Sequence, residues 1–144
     1  MPLPLFPFPR QPAASPAAGA PCATTFAQPT AVLDTACRRL TLIGASCLDD
    51  AIAFYGPLIG RLRACLDRRS RDAFDVDIAL STVDMGSEKM LFALFDTLHE
   101  GALAGNSIAI RWQRQGTDRR CKWFFDTLRE RFPLLRFTDC ADHA

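Results

Sequence analysis

The sequence predicts an α/β fold, a sandwich with a mostly parallel or mixed sheet of about 4–5 strands and about 3 helices. After residue 30, short segments rich in β-branched residues alternate with longer segments of helical periodicity. Strands that alternate with single helices favour a largely parallel sheet. A chain of 144 residues, 49% of them hydrophobic and 23% charged, is typical of a globular domain with one sizeable core.

Each predicted strand has a local signal. "RRLTLIG" at 38–44 combines aliphatic and β-branched residues and ends in glycine, and "AVLD" just before it predicts a short hairpin partner. "FDVDIALSTV" at 74–83 opens with strict alternation of apolar and polar residues, so at least one of its faces is buried. "NSIAIRW" at 106–112 and "LLRFTD" at 134–139 complete the set.

Three segments have apolar residues at helical spacing: 49–66, 87–103 and 118–132. In the first, Ser46 or Asp49 can cap the start of the helix. The core stripe of this helix is predicted to consist of Ala51, Tyr55, Leu58, Leu62 and Cys65.

The chain divides into an arm and one domain. Residues 1–30 contain eight of the ten prolines and much alanine. Such a composition does not bury enough apolar surface to offset the entropy of ordering, so we predict a disordered Pro/Ala-rich arm. A Pro-rich ligand for a partner is the alternative to a simple tail. Residues 31–140 are predicted to form a single α/β domain.

Composition argues against several classes of protein. The formal net charge of +1 supplies no global field for nucleic acid or anionic membranes. The six cysteines form no C-x-x-C pair, and only two histidines are present, so we predict neither a metal site nor a disulfide framework. No apolar run approaches the roughly 20 residues that span a bilayer. We expect a cytoplasmic protein without a membrane segment.

Enzyme signatures are missing from the sequence. Neither phosphate-binding glycine loop is present, and there is no G-x-S-x-G elbow. Asp49 and Asp50 are adjacent, so on a helix they point in different directions and form a weak acid/base pair. Two carboxylates at a solvated helix N-terminus are the better interpretation. We therefore predict a protein that is not an enzyme and has no cofactor.

The basic C-terminal third allows an alternative. Between residues 108 and 136 eight basic and three acidic residues are interleaved with Trp112 and Trp123. Basic and aromatic residues together can bind nucleic acid, here through an Arg-rich face at 111–131. Phe124, Phe125 and Phe132 also fit the core stripe of a helix, for which Arg on the opposite face is usual. Trp and Arg are enriched in protein interfaces, so a partner-binding face is preferred to nucleic acid.

The stretch "STVDMGSEK" places a hydroxyl group at the predicted start of a helix. Ser87 is expected in the first turn of the second helix, where unpaired N–H groups and a partial positive charge favour a phosphate. A phosphate adds close to two negative charges, enough to change a charged interface. Serine is equally a preferred N-cap, contributing about 1 kcal/mol. The residues alone favour a cap over a switch.

Three stretches, in order, resemble the SiaC-type regulatory phosphoproteins, a bacterial family long catalogued as a domain of unknown function. The first block is a strand ending in Gly-x-Ser, an acidic pair and Phe-Tyr-x-Pro-Leu in a helix. Its matching residues here are Gly44, Ser46, Asp49, Asp50, Phe54, Tyr55, Pro57 and Leu58. The second block is the strand, turn and Leu-rich helix of "FDVDIALSTVDMGSEKMLFALFDTL", and the third is the Trp-ending strand "NSIAIRW". The resemblance covers about residues 31–138.

The resemblance implies a fold similar to that of STAS anti-sigma-factor antagonists and a regulatory role without catalysis. Family members are phosphorylated by a partner Ser/Thr kinase on a hydroxyl of the second-block turn and dephosphorylated by a partner phosphatase. In the best-known system the unphosphorylated form activates a GGDEF diguanylate cyclase and raises cyclic-di-GMP. The family turn Asn-Thr-Ser-Ser-Ser-Lys corresponds to residues 84–89, with Met85 at the expected acceptor threonine and Ser87 at one of the serines.

The resemblance thus makes Ser87 the phosphorylation candidate, with Thr82 and Ser81 as lesser ones. Partner proteins are expected to bind the surface around this turn and the first helix. The residues expected on that surface are Asp84, Met85, Gly86, Ser87, Lys89, Asp49, Asp50 and Tyr55.

Overall fold

Five strands and three helices follow one another in the predicted order. The computed structural model describes residues 26–67, 73–113 and 119–140, without the side chain of Cys140. The elements are β1 (Thr30–Asp34), β2 (Arg39–Ser46), α1 (Ala51–Leu66), β3 (Ala73–Val83), α2 (Met85–Leu103), β4 (Ser107–Gln113), α3 (Arg119–Arg131) and β5 (Arg136–Cys140). The predicted connector at 68–72 lies outside the described residues.

The strands form one mixed sheet in the order β1-β2-β3-β4-β5. The hairpin strand β1 is antiparallel to β2, and all other neighbours are parallel. The predicted α/β class is therefore confirmed. Each parallel connection steps to the next strand in the same direction, and such crossovers are right-handed. The three helices consequently lie on one face of the sheet.

Alternation along the strands separates a covered face from an open one. On the covered face the strand residues are fully buried under the helices, as Leu40, Val76 and Ile110 illustrate. On the open face Asp77 of β3 accepts hydrogen bonds from Arg39 at 2.7 Å and Arg111 at 2.6 Å. One buried face and one polar face explain why β3 alternates in sequence.

A bulge ends the regular pairing of β2 and β3. Gly44 pairs with Leu80 and the next residue with Thr82, so Ser81 is the extra residue. Gly44 has φ +114°, a conformation that only glycine adopts without strain. The bulge occurs where the two strands approach the starts of α1 and α2, at the carboxyl end of the parallel strands.

The opposite, amino end of the sheet is closed by the end of α2. The N–H of Gly105 (φ +112°) bonds to the carbonyl of Ala102, and the N–H of Asn106 bonds to that of Gly101, which is a Schellman motif. Gly105 therefore ends the helix, while Gly101 lies inside it.

The domain begins slightly before its predicted boundary. Ala27 forms a two-way backbone bridge with Cys47, at 2.8 and 2.9 Å, and β1 starts at Thr30. Residues 26–30, predicted as the end of the arm, therefore pack on the sheet. The remainder of the predicted arm, residues 1–25, lies outside the described residues.

Candidate functional site

The predicted site residues meet at the carboxyl end of the sheet, where β2 and β3 lead into α1 and α2. The N–H of Asp84 donates to the carbonyl of Ser46 at 3.0 Å, which joins the ends of the two strands. The absence of a side chain at Gly86 lets α2 start close to α1: a Cβ there would lie 3.9 Å from that of Ala51. The first turns of both helices therefore share one surface.

Asp84, and not Ser87, caps α2. A side-chain oxygen of Asp84 accepts the backbone N–H of Ser87 at 2.8 Å, and the helix starts at Met85. The predicted cap role of Ser87 is therefore wrong, because the carboxylate three residues earlier already satisfies that N–H group. Likewise Asp50, rather than Ser46 or Asp49, caps α1 by accepting the N–H of Ala53 at 3.0 Å.

Three buried hydroxyls form a chain beneath this surface. Ser46 Oγ donates to Ser87 Oγ at 2.8 Å and lies 2.7 Å from the hydroxyl of Tyr55. All three side chains are completely buried. Burial raises the pKa of Tyr55 to about 12, against the opposing effect of the Ser46 hydrogen bond. The chain therefore links β2, α1 and α2 through neutral groups that satisfy one another.

This burial corrects two predicted roles. Tyr55 is predicted as a partner contact, but its side chain lies inside the core stripe that its helical spacing indicates. Ser87 is completely enclosed as well. Both residues support the surface from below, because a buried side chain has no area left for a partner.

The other predicted contacts are accessible. Asp49, Asp50, Gly86 and Lys89 are exposed, and Met85 is 67% exposed at the first position of α2. Asp84 is half-buried by its capping role. We call the set of Asp49, Asp50, Met85, Gly86 and Lys89 the α1–α2 surface.

Of the lesser phosphorylation candidates, Thr82 is exposed and Ser81 is half-buried. Both lie at the end of β3, next to the bulge. Thr82 is thus the accessible hydroxyl of the three candidates.

An ion pair that sequence reasoning missed connects this surface to α3. Arg120 donates from Nε and Nη2 to the two carboxylate oxygens of Glu88, at 2.7 and 3.0 Å. Glu88 is nearly buried, and the guanidinium also lies 5.9 Å from the ring centre of Trp123. A bidentate, partly desolvated pair of this kind is geometrically specific. No local signal predicts it, since the partners are 32 residues apart.

A groove lies beside the α1–α2 surface. Residues 26–28 on one side, and Leu48 with the start of α1 on the other, enclose about 480 Å³. We call it the Phe26 groove. The side chains that line it include Phe26, Leu48, Asp49, Asp50, Ala53 and Phe54. Its walls are mainly apolar and aromatic, with Gln28 as an uncharged polar side chain, and the charged groups among the lining residues are both carboxylates.

The basic residues of 111–131 do not form one face. Arg111 lies on the open face of the sheet, opposite the helices, and pairs with an aspartate of β3. Arg120 is engaged by Glu88, and Arg131 lies 5.4 Å from the ring centre of Phe92. Residues 114–118 lie outside the described part. In the described residues the predicted Arg-rich face at 111–131 is therefore divided, because Arg111 lies on the open face of the sheet and the basic residues of α3 lie on the side of the helices.

The described residues also bear on metal and membrane binding. Within residues 26–67, 73–113 and 119–140, no three His, Cys, Asp or Glu side chains come together as a metal site would require. Among the described helices, none has the length and apolar character needed to cross a bilayer.

Solved structures with the same fold come from Pseudomonas aeruginosa. A chain in the crystal structure of the diguanylate cyclase SiaD in complex with its activator SiaC is 21% identical, with a TM-score of 0.73, covering 82% of this chain and 95% of that one. Apo-SiaC is 22% identical, with a TM-score of 0.71, covering 83% of this chain and 95% of that one. No curated protein sequence matches.

A family model matches residues 22–141, which is most of the chain. Its description is SiaC family regulatory phosphoprotein. The match includes all five strands, all three helices and every residue of the α1–α2 surface. The chain therefore belongs to the SiaC family of regulatory phosphoproteins.

Proposed function

We propose that this chain is a non-enzymatic signalling protein that binds and regulates a partner protein through the α1–α2 surface. By family membership the candidate partners are a Ser/Thr kinase, a phosphatase and a GGDEF diguanylate cyclase. The related SiaC of P. aeruginosa is an activator found in complex with the diguanylate cyclase SiaD. Activation of a cyclase is accordingly the proposed output of the unmodified form.

The observation that carries the proposal is Met85. A large apolar side chain, 67% exposed at the start of a helix, belongs to the same surface as the exposed charged residues Asp49, Asp50 and Lys89. Methionine is enriched and adaptable at protein interfaces, and an apolar centre with a polar rim is their usual anatomy. The buried hydroxyl chain below holds both helix starts in place, so little conformational entropy is lost on binding.

Ser87 stays the proposed phosphoacceptor, with a condition set by its burial. A kinase reaches the Ser87 hydroxyl only when the first turn of α2 opens and the hydrogen bond to Ser46 breaks. A phosphate has no room beside Ser46 at this completely buried position, so modification would keep the turn open and separate the two helix starts. Phosphorylation would then abolish the α1–α2 surface rather than merely add charge to it.

The binding proposal is tested with GGDEF diguanylate cyclases from the same genome. Cyclic-di-GMP synthesis is measured with increasing amounts of the wild-type protein and of Asp49→Lys. Reversing one rim charge should weaken the apparent affinity about tenfold and leave the fold intact. Asp96→Lys, an equal reversal on the exposed middle of α2, is the matched control and should behave as wild type. Equal effects of the two substitutions would exclude this surface as the interface.

The switch proposal is tested by co-expression with candidate kinases, followed by intact-mass measurement and phosphopeptide mapping. A single phosphate on Ser87 supports the opening model, and amide hydrogen exchange of the first turn of α2 should then rise. A phosphate on Thr82 or Ser81 would move the switch to the end of β3. An unmodified protein would leave a constitutive binder.

A further inference from the structure

The Phe26 groove has the chemistry of a site for a Pro-rich, positively charged segment. Its walls include the aromatic rings of Phe26, 60% exposed, and Phe54. Grooves lined by aromatic rings recognise extended proline-rich peptides, because such peptides lose little entropy on binding. Asp49 and Asp50 at the groove add an attraction for a basic residue.

This chain carries a segment of matching composition. Residues 3–10, "LPLFPFPR", alternate prolines with large apolar residues and end in Arg10. Two phenylalanines, Phe6 and Phe8, are available for an aromatic-lined groove, and the arginine for its carboxylates. The family match begins only at residue 22, so this segment belongs to this chain and not to the shared family pattern.

The described part of the chain begins at the groove. Phe26, the first described residue, itself lines the groove, so the chain enters the domain there. Residues 11–25 connect the segment to that point and span up to about 50 Å when extended. A tether of this length gives an effective concentration in the millimolar range, so even a weak contact is substantially occupied.

We propose that residues 3–10 dock intramolecularly in the Phe26 groove, where they compete with a protein partner of the adjoining α1–α2 surface. The docking rests only on the groove and the segment, whereas the competition rests on the function proposed above. Asp49 belongs to both the groove and the surface, so one occupant displaces the other.

Docking is tested on the full-length, ¹⁵N-labelled protein by NMR. Replacing Phe6 and Phe8 together by serine should shift the amide signals of groove residues such as Gln28, Leu48 and Ala53. Ala13→Ser with Ala14→Ser, outside the segment, is the matched control and should leave those signals in place. Wild-type positions of the groove signals in the phenylalanine variant would overturn the proposal.

The charge contribution has its own test. Arg10→Glu and Asp49→Arg should each move the groove amides toward their positions in the Phe6/Phe8 variant. The double variant, with both charges reversed, should restore the wild-type positions, and Asp50 is left in place as the cap of α1. Absence of restoration would contradict an Arg10–Asp49 contact and the proposed orientation of the segment.

Competition between the segment and the partner is tested by repeating the cyclase titration with the Phe6/Phe8 variant. Removing the internal occupant should tighten the apparent affinity for the partner about two- to tenfold relative to wild type. An unchanged affinity, with NMR docking present, would overturn the competition alone. If no partner binds either protein, the function proposed above fails, while the NMR result still decides the docking.

Discussion

The two ends of the sheet both contain buried polar groups, and they differ in what those groups bind. At the amino end Asn106 donates to the carbonyls of Leu66 and Gly101, at 3.1 and 2.9 Å, and accepts Arg38 Nη2 at 2.6 Å. One side chain thereby binds carbonyls at the ends of both α1 and α2. This end is closed, because its helix termini are satisfied within the molecule.

At the carboxyl end side chains bind mainly one another. The hydroxyls of Ser46, Tyr55 and Ser87 form a chain, and each helix start has one aspartate as its cap. The side chains of the α1–α2 surface are exposed above them. The comparison indicates that the amino end of the sheet stabilises the fold. The carboxyl end is held rigid from below, but its surface stays accessible.

The largest effect on stability is expected at the amino end. Asn106→Ala removes three side-chain hydrogen bonds, to the carbonyls of Leu66 and Gly101 and from Arg38, and should lower the free energy of unfolding by about 3 kcal/mol. Urea denaturation measures the loss. Gln113→Ala, an exposed amide at the far end of β4, should change it by less than about 0.5 kcal/mol. Equal losses for the two variants would show that the side-chain hydrogen bonds of Asn106 do not stabilise the amino end of the sheet.

The hydroxyl chain should respond according to position. Ser46→Ala removes the centre of the chain, so the hydroxyls of Tyr55 and Ser87 both lose their bond to Ser46. We expect the free energy of unfolding to fall by about 2 kcal/mol. Tyr55→Phe removes one end only and should cost about 1 kcal/mol. Thermal and urea unfolding of both variants check the order. A larger loss for Tyr55→Phe would contradict the central role of Ser46.

The raised pKa of Tyr55 makes the carboxyl end sensitive to high pH. The folded-state pKa of about 12 lies above the ordinary value of 10.0, so the tyrosine contributes full stability below pH 10 and loses it as the pH rises toward 12. Between pH 9 and 11 the wild type should lose about 1 kcal/mol more than Tyr55→Phe. Parallel pH profiles for the two proteins would contradict this burial.

The Glu88–Arg120 pair should have an intermediate effect, because the arginine is half exposed. Glu88→Gln is expected to lower stability by about 1 kcal/mol, with a loss that shrinks as salt is added. The control is Asp126→Asn, which breaks the exposed Lys122 pair and should cost about 0.3 kcal/mol. Urea unfolding at low and high salt distinguishes the two.

The smallest change in stability is predicted for Met85→Glu. A carboxylate at the first position of α2 interacts favourably with the helix dipole and should raise stability by about 0.5 kcal/mol. The same charge lies in the centre of the α1–α2 surface, so affinity for the cyclase should fall more than tenfold. A stable variant with unchanged affinity would show that the accessible end does not bind the partner there.

Local sequence predicts the elements well and the site only in part. The second helix is predicted from residue 87 and starts at Met85, because Asp84 and Ser87 are both good caps and local sequence does not choose between them. For Tyr55 the helical spacing correctly predicts the core, whereas the resemblance suggests a contact surface. Periodicity reports burial directly, while a family motif does not say whether a residue touches the partner or supports one that does.

The sequence by itself determined the order of strands and helices, the α/β class and the exposure of Asp49, Asp50 and Lys89, because these depend on periodicity and caps within a few residues. Tertiary structure decided the rest. Ser87 is buried against Ser46, 41 residues away in sequence, which donates a hydrogen bond to it. Glu88 is held by Arg120 from another helix. The placement of all helices on one face and the opening of the Phe26 groove likewise require long-range packing, which no local pattern encodes.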